Sequence, residues 1–452
     1  MSPSIAQAVA RRYSRFLRLT RPCVIACSFA LLAAPHVTAQ TDDSEHFLGA
    51  EYVGVGYTGL AQHNPIAQLA ARVEAGEAQL EFNSDRLHLD SLLEALDIDP
   101  ASQVLVYSRT SLQGRLIAAT TPRALYFNDT TYVGWIPGTA MLEIATTDTA
   151  MGTVFYTLRG SADTRPEFQR HTGTCLICHD TYSAQGGGIP VLMAKSVLTT
   201  RGGAPVGDGI DVTDVTPIGE RWGGWYVTGQ HGSIGHLGNI ILDKAEAPAD
   251  IEALKRGNLD SLEGLGLFDT ESYVAPTSDI VALLVLEHQL TVHNQITYVK
   301  FKAPAVLGRT GFPDAVDATT WAELPPRAQT SLTRMMKRLV DSLLFVGAAP
   351  LDDQVAGTAG FDAWFEAQGP RDSNGRSLRE LDLTTRLLRY PLSYLIHSPE
   401  FDALPAYAKD YVYLAIADAL SGRSDAYAYL SDDERRAIRE VLVETKPEFA
   451  QY

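Results

Sequence analysis

The chain has 452 residues, 45% hydrophobic and 20% charged, the composition of a folded globular protein with length for two or three domains; a disordered chain is excluded. Its formal charge of −17 excludes a nucleic-acid phosphate backbone as partner. No internal repeat or low-complexity tract interrupts it.

Arginines at positions 11, 12, 15, 18 and 21 precede an apolar run from Cys23 to Ala34 and the small residues Val37-Thr38-Ala39. Basic, then apolar, then small is the order of a secretory signal, so residues 1–39 are read as a signal peptide cut before Gln40. The apolar run is too short for a permanent membrane span. Cleavage removes five arginines and no acids, which moves the charge from −17 to −22, and it takes away Cys23 and Cys27. The mature protein is expected in the periplasm or outside the cell, with Cys175 and Cys178 as its only cysteines and no disulfide framework. Its acidity favours solubility and suits basic redox partners.

Residues 40–165 read as a β-rich N-terminal region in which a helix that opens at Pro65 precedes the strands. Residues 103–107, 124–127, 131–135, 141–145 and 153–158 are short runs of β-formers, separated by Asn128-Asp129, Pro137-Gly138 and Met151-Gly152. Connections this short predict antiparallel hairpins. Residues 301–452 read as a mostly helical C-terminal region. Helices are predicted over 327–345, 378–396 with an interruption at Pro391, and 406–420, and a capping box at Ser431 and Glu434 opens the last. Ile280–Val299 is a further helical run, and Ser373-Asn374-Gly375 reads as a turn. The fold class expected is α+β.

Between these lies the region 166–300, which contains Cys175-Leu-Ile-Cys178-His179. Two thiols three positions apart can each form a thioether to a vinyl group of a porphyrin, while the next residue's imidazole reaches the iron. Chance yields such a pentad in roughly one chain of this composition in a thousand. A structural zinc site needs four ligands, and no second Cys-x-x-Cys or histidine pair is present at matching spacing. A dithiol redox motif of the thioredoxin type sits at the end of a strand, and Arg170-His-Thr-Gly-Thr does not read as one. A disulfide across so short a loop gains little entropy.

The segment resembles the haem-attachment helix of c-type cytochromes. The resemblance implies one covalent haem c, with thioethers at Cys175 and Cys178 and His179 as the proximal axial ligand, and it carries over no other residue. Phe168 stands where an aromatic packs on the porphyrin in small cytochromes c. In general plan the chain also resembles large bacterial proteins carrying a single haem motif.

The distal side of the iron decides between electron transfer and catalysis. Small electron carriers use a downstream methionine, but between Met193, 14 positions after His179, and Met335 there is none. His231 and His236 lie 52 and 57 positions beyond His179, among Gly232, Gly235 and Gly238, and are the preferred distal ligands. Met193, His288 and His293 are further candidates, His171 stands too close to the attachment helix to swing round, and Trp222, Trp225 and Tyr226 are candidate pocket walls. Electron transfer to a redox partner protein is the leading expectation. The alternative is a peroxidase- or oxygenase-like haem enzyme with Arg221, His231 or His236 beside an open iron. Ser183–Pro190 reads as a glycine loop that lets backbone approach the porphyrin, and Asp208, Asp211 and Asp214 are weighed as calcium ligands.

Overall fold

Short β-forming runs broken by tight turns build the sheet that organises the molecule. The computed structural model describes residues 56–180, 188–255 and 257–452. The signal segment 1–39 and residues 183–187 of the glycine loop lie outside the described residues. Six antiparallel strands follow one another in space as in sequence: β1 (Val104–Val106), β2 (Arg123–Phe127), β3 (Thr131–Trp135), β4 (Met141–Asp148), β5 (Gly152–Arg159) and β6 (Phe168–His171). The tight turn into β5 requires positive φ at Gly152, where it is 67°.

Alternation along the strands sorts side chains to two faces. One carries Tyr126, Val133, Trp135, Ile144 and Leu158, all buried. On this face the Tyr156 hydroxyl meets Asn64, the N-cap of the helix Pro65–Ala75. The other face carries Tyr132, Ala145, Phe155 and His171 in one cross-strand row. Part of it is covered by the helix Ile280–Arg309, whose Gln289 donates to the Tyr132 hydroxyl at 2.7 Å.

That helix is 30 residues long, about 45 Å. Asp279 caps it, accepting from Val281 and Ala282 through one oxygen and from Thr358 and Ala359 through the other. Much of it is buried around its whole circumference, and its polar side chains each tie down a neighbouring segment: Glu287 takes Arg221, His288 takes Asp214, and Asn294 takes Leu192. The helices Pro326–Leu343, Ala406–Leu420 and Asp432–Thr445 pack beyond it. The α+β class and the expected hairpins hold, as does the capping box at Ser431 and Glu434.

Two expectations fail. Residues 378–396 form no α-helix: Asp382 accepts from the backbone N–H groups of Thr384 and Thr385, a local turn that competes with helix, and Leu383 has φ 56°. Only Tyr394–His397, beyond Pro391, makes a 3-10 turn. Arg170 and His171, read as non-strand, belong to β6, an edge strand whose pairing with β5 outweighs its weak β propensity. Among the described residues no helix is long and apolar enough to cross a membrane.

Candidate functional site

After β6 the Gly173 carbonyl accepts from Leu176 at 2.9 Å and from Ile177 at 3.2 Å, and the chain closes into the helical turn Leu176–His179. Cys175 caps this turn with helical angles, φ −69° and ψ −36°. Cys175, Cys178 and His179 therefore stand at i, i+3 and i+4 on one side of a single turn. Cys178 is exposed, Cys175 is half-buried, and no disulfide joins them.

His179 is oriented by its surroundings. Its Nδ1 lies 2.7 Å from the Val191 carbonyl. A carbonyl only accepts, so Nδ1 carries the proton and Nε2 keeps its lone pair for a metal. The Val191 N–H donates back to the His179 carbonyl at 2.9 Å, so two bonds close this pairing. The ring rests against Phe155, with centroids 4.5 Å apart. Burial holds the imidazole pKa below its ordinary value, which favours the neutral form that a metal ion requires. Val191 is in turn held through its neighbour: Leu192 N–H donates to Asn294 Oδ1 at 2.9 Å, and Asn294 Nδ2 donates to the Leu192 carbonyl at 2.7 Å. Val191 and Asn294 escaped sequence reading as site residues. Only Asn294, a polar residue inside an apolar helical run, left a signal.

Two thiols on one side of a turn with a neutral, pre-oriented imidazole fit a c-type haem. They fit zinc poorly, since among the described residues no group of three or more His, Cys, Asp or Glu side chains is placed to hold a metal ion. The dithiol reading gains a strand, but β6 ends at His171, three residues short of Cys175. The more exposed thiol is also the second one, whereas a thioredoxin-type motif attacks with an exposed first cysteine.

The histidines weighed for the distal side are engaged elsewhere. His231 and His236 pack on one another with ring centroids 4.6 Å apart, and Trp222 meets His236 edge-on at 5.1 Å. His231 Nδ1 lies 2.8 Å from the Ile234 carbonyl, which leaves its Nε2 unprotonated. His236 is the reverse: Nδ1 accepts from Gly238 N–H at 3.0 Å, so the proton sits on a buried Nε2 that has no hydrogen-bond partner. Burial, helped by the nearby Lys255 ammonium, pushes the His236 pKa down to about 3. No ring contact or hydrogen bond joins either residue to His179. Their segment meets the central helix at Ile280, whose N–H donates to Thr228, and at Glu287, which pairs with Arg221, whereas the His179 segment meets it at Asn294. Those anchors lie 14 and 7 positions, about 21 and 10 Å, from Asn294 along the helix axis.

His288 is bonded on both ring nitrogens, to Asp214 and Ser393. His293 Nε2 lies 2.8 Å from the Asp129 carbonyl. His171 Nε2 meets the Thr157 hydroxyl at 2.9 Å. Met193 is half-buried and packs against the hydrophobic core. Arg221 is buried in an ion pair with Glu287 at 2.9 Å, and Trp225 and Tyr226 donate to the Lys195 and Ala119 carbonyls. The acidic set does not converge: Asp208 is exposed, Asp211 pairs with Lys195, and Asp214 with His288. No protein-family model, curated protein or solved structure matches the chain.

Proposed function

We propose that the protein is an exported c-type cytochrome that binds one haem covalently through Cys175 and Cys178, takes His179 as an axial iron ligand, and transfers electrons outside the cytoplasm. The carrying observation is the one-sided arrangement of the three side chains on a turn where the Val191 carbonyl holds the Nδ1 proton of His179. When bound, haem iron supplies a reversible one-electron couple. The protein's part is to fix the imidazole through Val191 and Phe155 and to leave Cys178 accessible for attachment. Electron transfer is favoured over the peroxidase- or oxygenase-like alternative because the proposed distal groups Arg221, His231 and His236 are engaged with Glu287, Ile234 and Gly238. The acidic chain suits a basic redox partner.

The test is a denaturing gel of the purified protein, followed by acid-acetone extraction. Haem should stay with the polypeptide band, and the variant C175A/C178A should lose it. Haem that extracts from the unmutated chain refutes covalent attachment. An intact Met1 terminus on the protein recovered from outside the cytoplasm refutes the cleaved signal.

A further inference from the structure

Away from the attachment turn, three segments distant in sequence bring together a serine, a histidine and an aspartate. His288 Nδ1 lies 3.0 Å from Asp214 Oδ2, and His288 Nε2 lies 2.8 Å from Ser393 Oγ. The aspartate holds the proton on Nδ1, so Nε2 is the acceptor for the serine hydroxyl. This is the relation of orienting acid, base and nucleophile in acyl-transfer enzymes, which is recognised by geometry and not by sequence order.

Beside the cluster lies a cleft of about 440 Å³, lined by Asp214, Phe345 and Pro391 and by the apolar side chains of Ile218, Leu284 and Leu388. In this conformation His288 and Ser393 have no exposed surface. A cover lies on the histidine: the Phe345 ring stacks on His288 with centroids 4.2 Å apart and planes 16° from parallel. Phe345 has φ +55° at the position after the Pro326–Leu343 helix cap, where Val346 N–H returns to the Asp341 carbonyl at 2.9 Å. That position ordinarily takes glycine. A bulky residue strained there, with its ring between a cleft and a triad histidine, is an outlier that points to function.

We propose that Asp214, His288 and Ser393 form an acyl-transfer centre, closed here by Phe345, that acts on carboxylic esters with a compact apolar acyl group. The Ser393 proton passes to His288 Nε2 as Oγ bonds to the ester carbonyl carbon. The leaving alkoxide departs with that proton, giving an acyl-serine and an alcohol. Water, deprotonated by the same nitrogen, then releases the acid and restores Ser393. Neither step calls on the haem turn.

The experiment uses the full-length, haem-loaded protein and the variants F345G and F345G/S393A, with p-nitrophenyl acetate and a fluorophosphonate as probes and peptide mass as readout. F345G relieves the backbone strain and uncovers His288, so it should acylate at least tenfold faster than the parent, with the added mass on Ser393 and none in F345G/S393A. A folded F345G with no added mass at Ser393 overturns the proposal, as does equal labelling of the double variant. Should F345G fail to fold, F345A and a prolonged incubation of the parent replace it. Absence of label on Ser393 in these makes the cluster a structural tie and sinks the proposal.

Discussion

His236 gives the sharpest test of the interior away from the turn. Its ring is fully buried, its Nδ1 accepts from Gly238, and burial pushes its pKa down to about 3. In the unfolded chain it titrates near 6.5. Between these values the unfolded state binds more protons, so stability is lost as pH falls from about 6.5 towards 3, by up to about 1.4 kcal/mol per pH unit and about 4–5 kcal/mol in all. His397, pushed down to about 4 mainly by burial, adds a slope of the same sign. Glu287, raised to about 7 by burial against the pull of Arg221, acts oppositely, as does Asp279, raised by burial, while His179, lowered by burial, adds to the loss, so the parent's slope is a net of several groups. The variant H236N isolates one of them: its amide oxygen can still accept from Gly238, but it does not titrate. Urea unfolding followed by far-ultraviolet circular dichroism at pH 7.5, 6, 5 and 4 should show the variant less stable at pH 7.5, through lost packing, yet less sensitive to acid by about one proton. Parallel slopes in parent and variant would refute the reasoning.

In R221L the carboxyl of Glu287 is left buried without its cation, and urea unfolding at pH 7.5 should show a loss of about 3–5 kcal/mol, most of it restored in R221L/E287L. H231A and H236N should each keep the parent's visible absorption spectrum, because each ring is hydrogen-bonded within its own loop, His231 to Ile234 and His236 to Gly238; a change to a high-spin spectrum in either variant would place that histidine on the iron.

What was legible in the sequence follows from how local each signal is. The hairpins of β2 to β5 were readable because their turns are punctuated within two or three residues, and the helix at Pro65 because its first residue and Asn64 cap mark it. Cys175, Cys178 and His179 carry their spacing with them. Phe168–His171 has only the side chains of an indifferent segment, and its strand character comes from Phe155–Leu158 alongside. Residues 378–396 have enough leucine to suggest a helix, but the Asp382 side chain offers the backbone another partner. The distal candidates were argued from counted distances along the chain, and such a count carries no information on which stretch of the central helix each loop is pinned to. The bonds of Leu192 with Asn294, of Thr228 with Ile280 and of Arg221 with Glu287 do that pinning.

Asn294 shows how far the turn's geometry depends on residues outside it. Its side chain pairs with both the N–H and the carbonyl of Leu192 as a neighbouring strand would, and this fixes the extended segment whose Val191 carbonyl holds the Nδ1 proton of His179. In N294L the volume is roughly kept, but two buried backbone groups lose their partners, which costs about 2–5 kcal/mol. A purely structural role would stop there. Here the Val191 carbonyl is freed to drift from His179, and the hydrogen bond that would make the imidazole a stronger donor to a haem iron weakens with it. Haem bound to N294L should therefore show a higher reduction potential and a weaker iron–histidine stretch by resonance Raman than the parent, while N294D, which retains the acceptor oxygen for Leu192 N–H, should fall between them. An N294L protein that is less stable but unchanged in both potential and stretch would mean that Val191 is held by the turn itself and that Asn294 is no positioning residue.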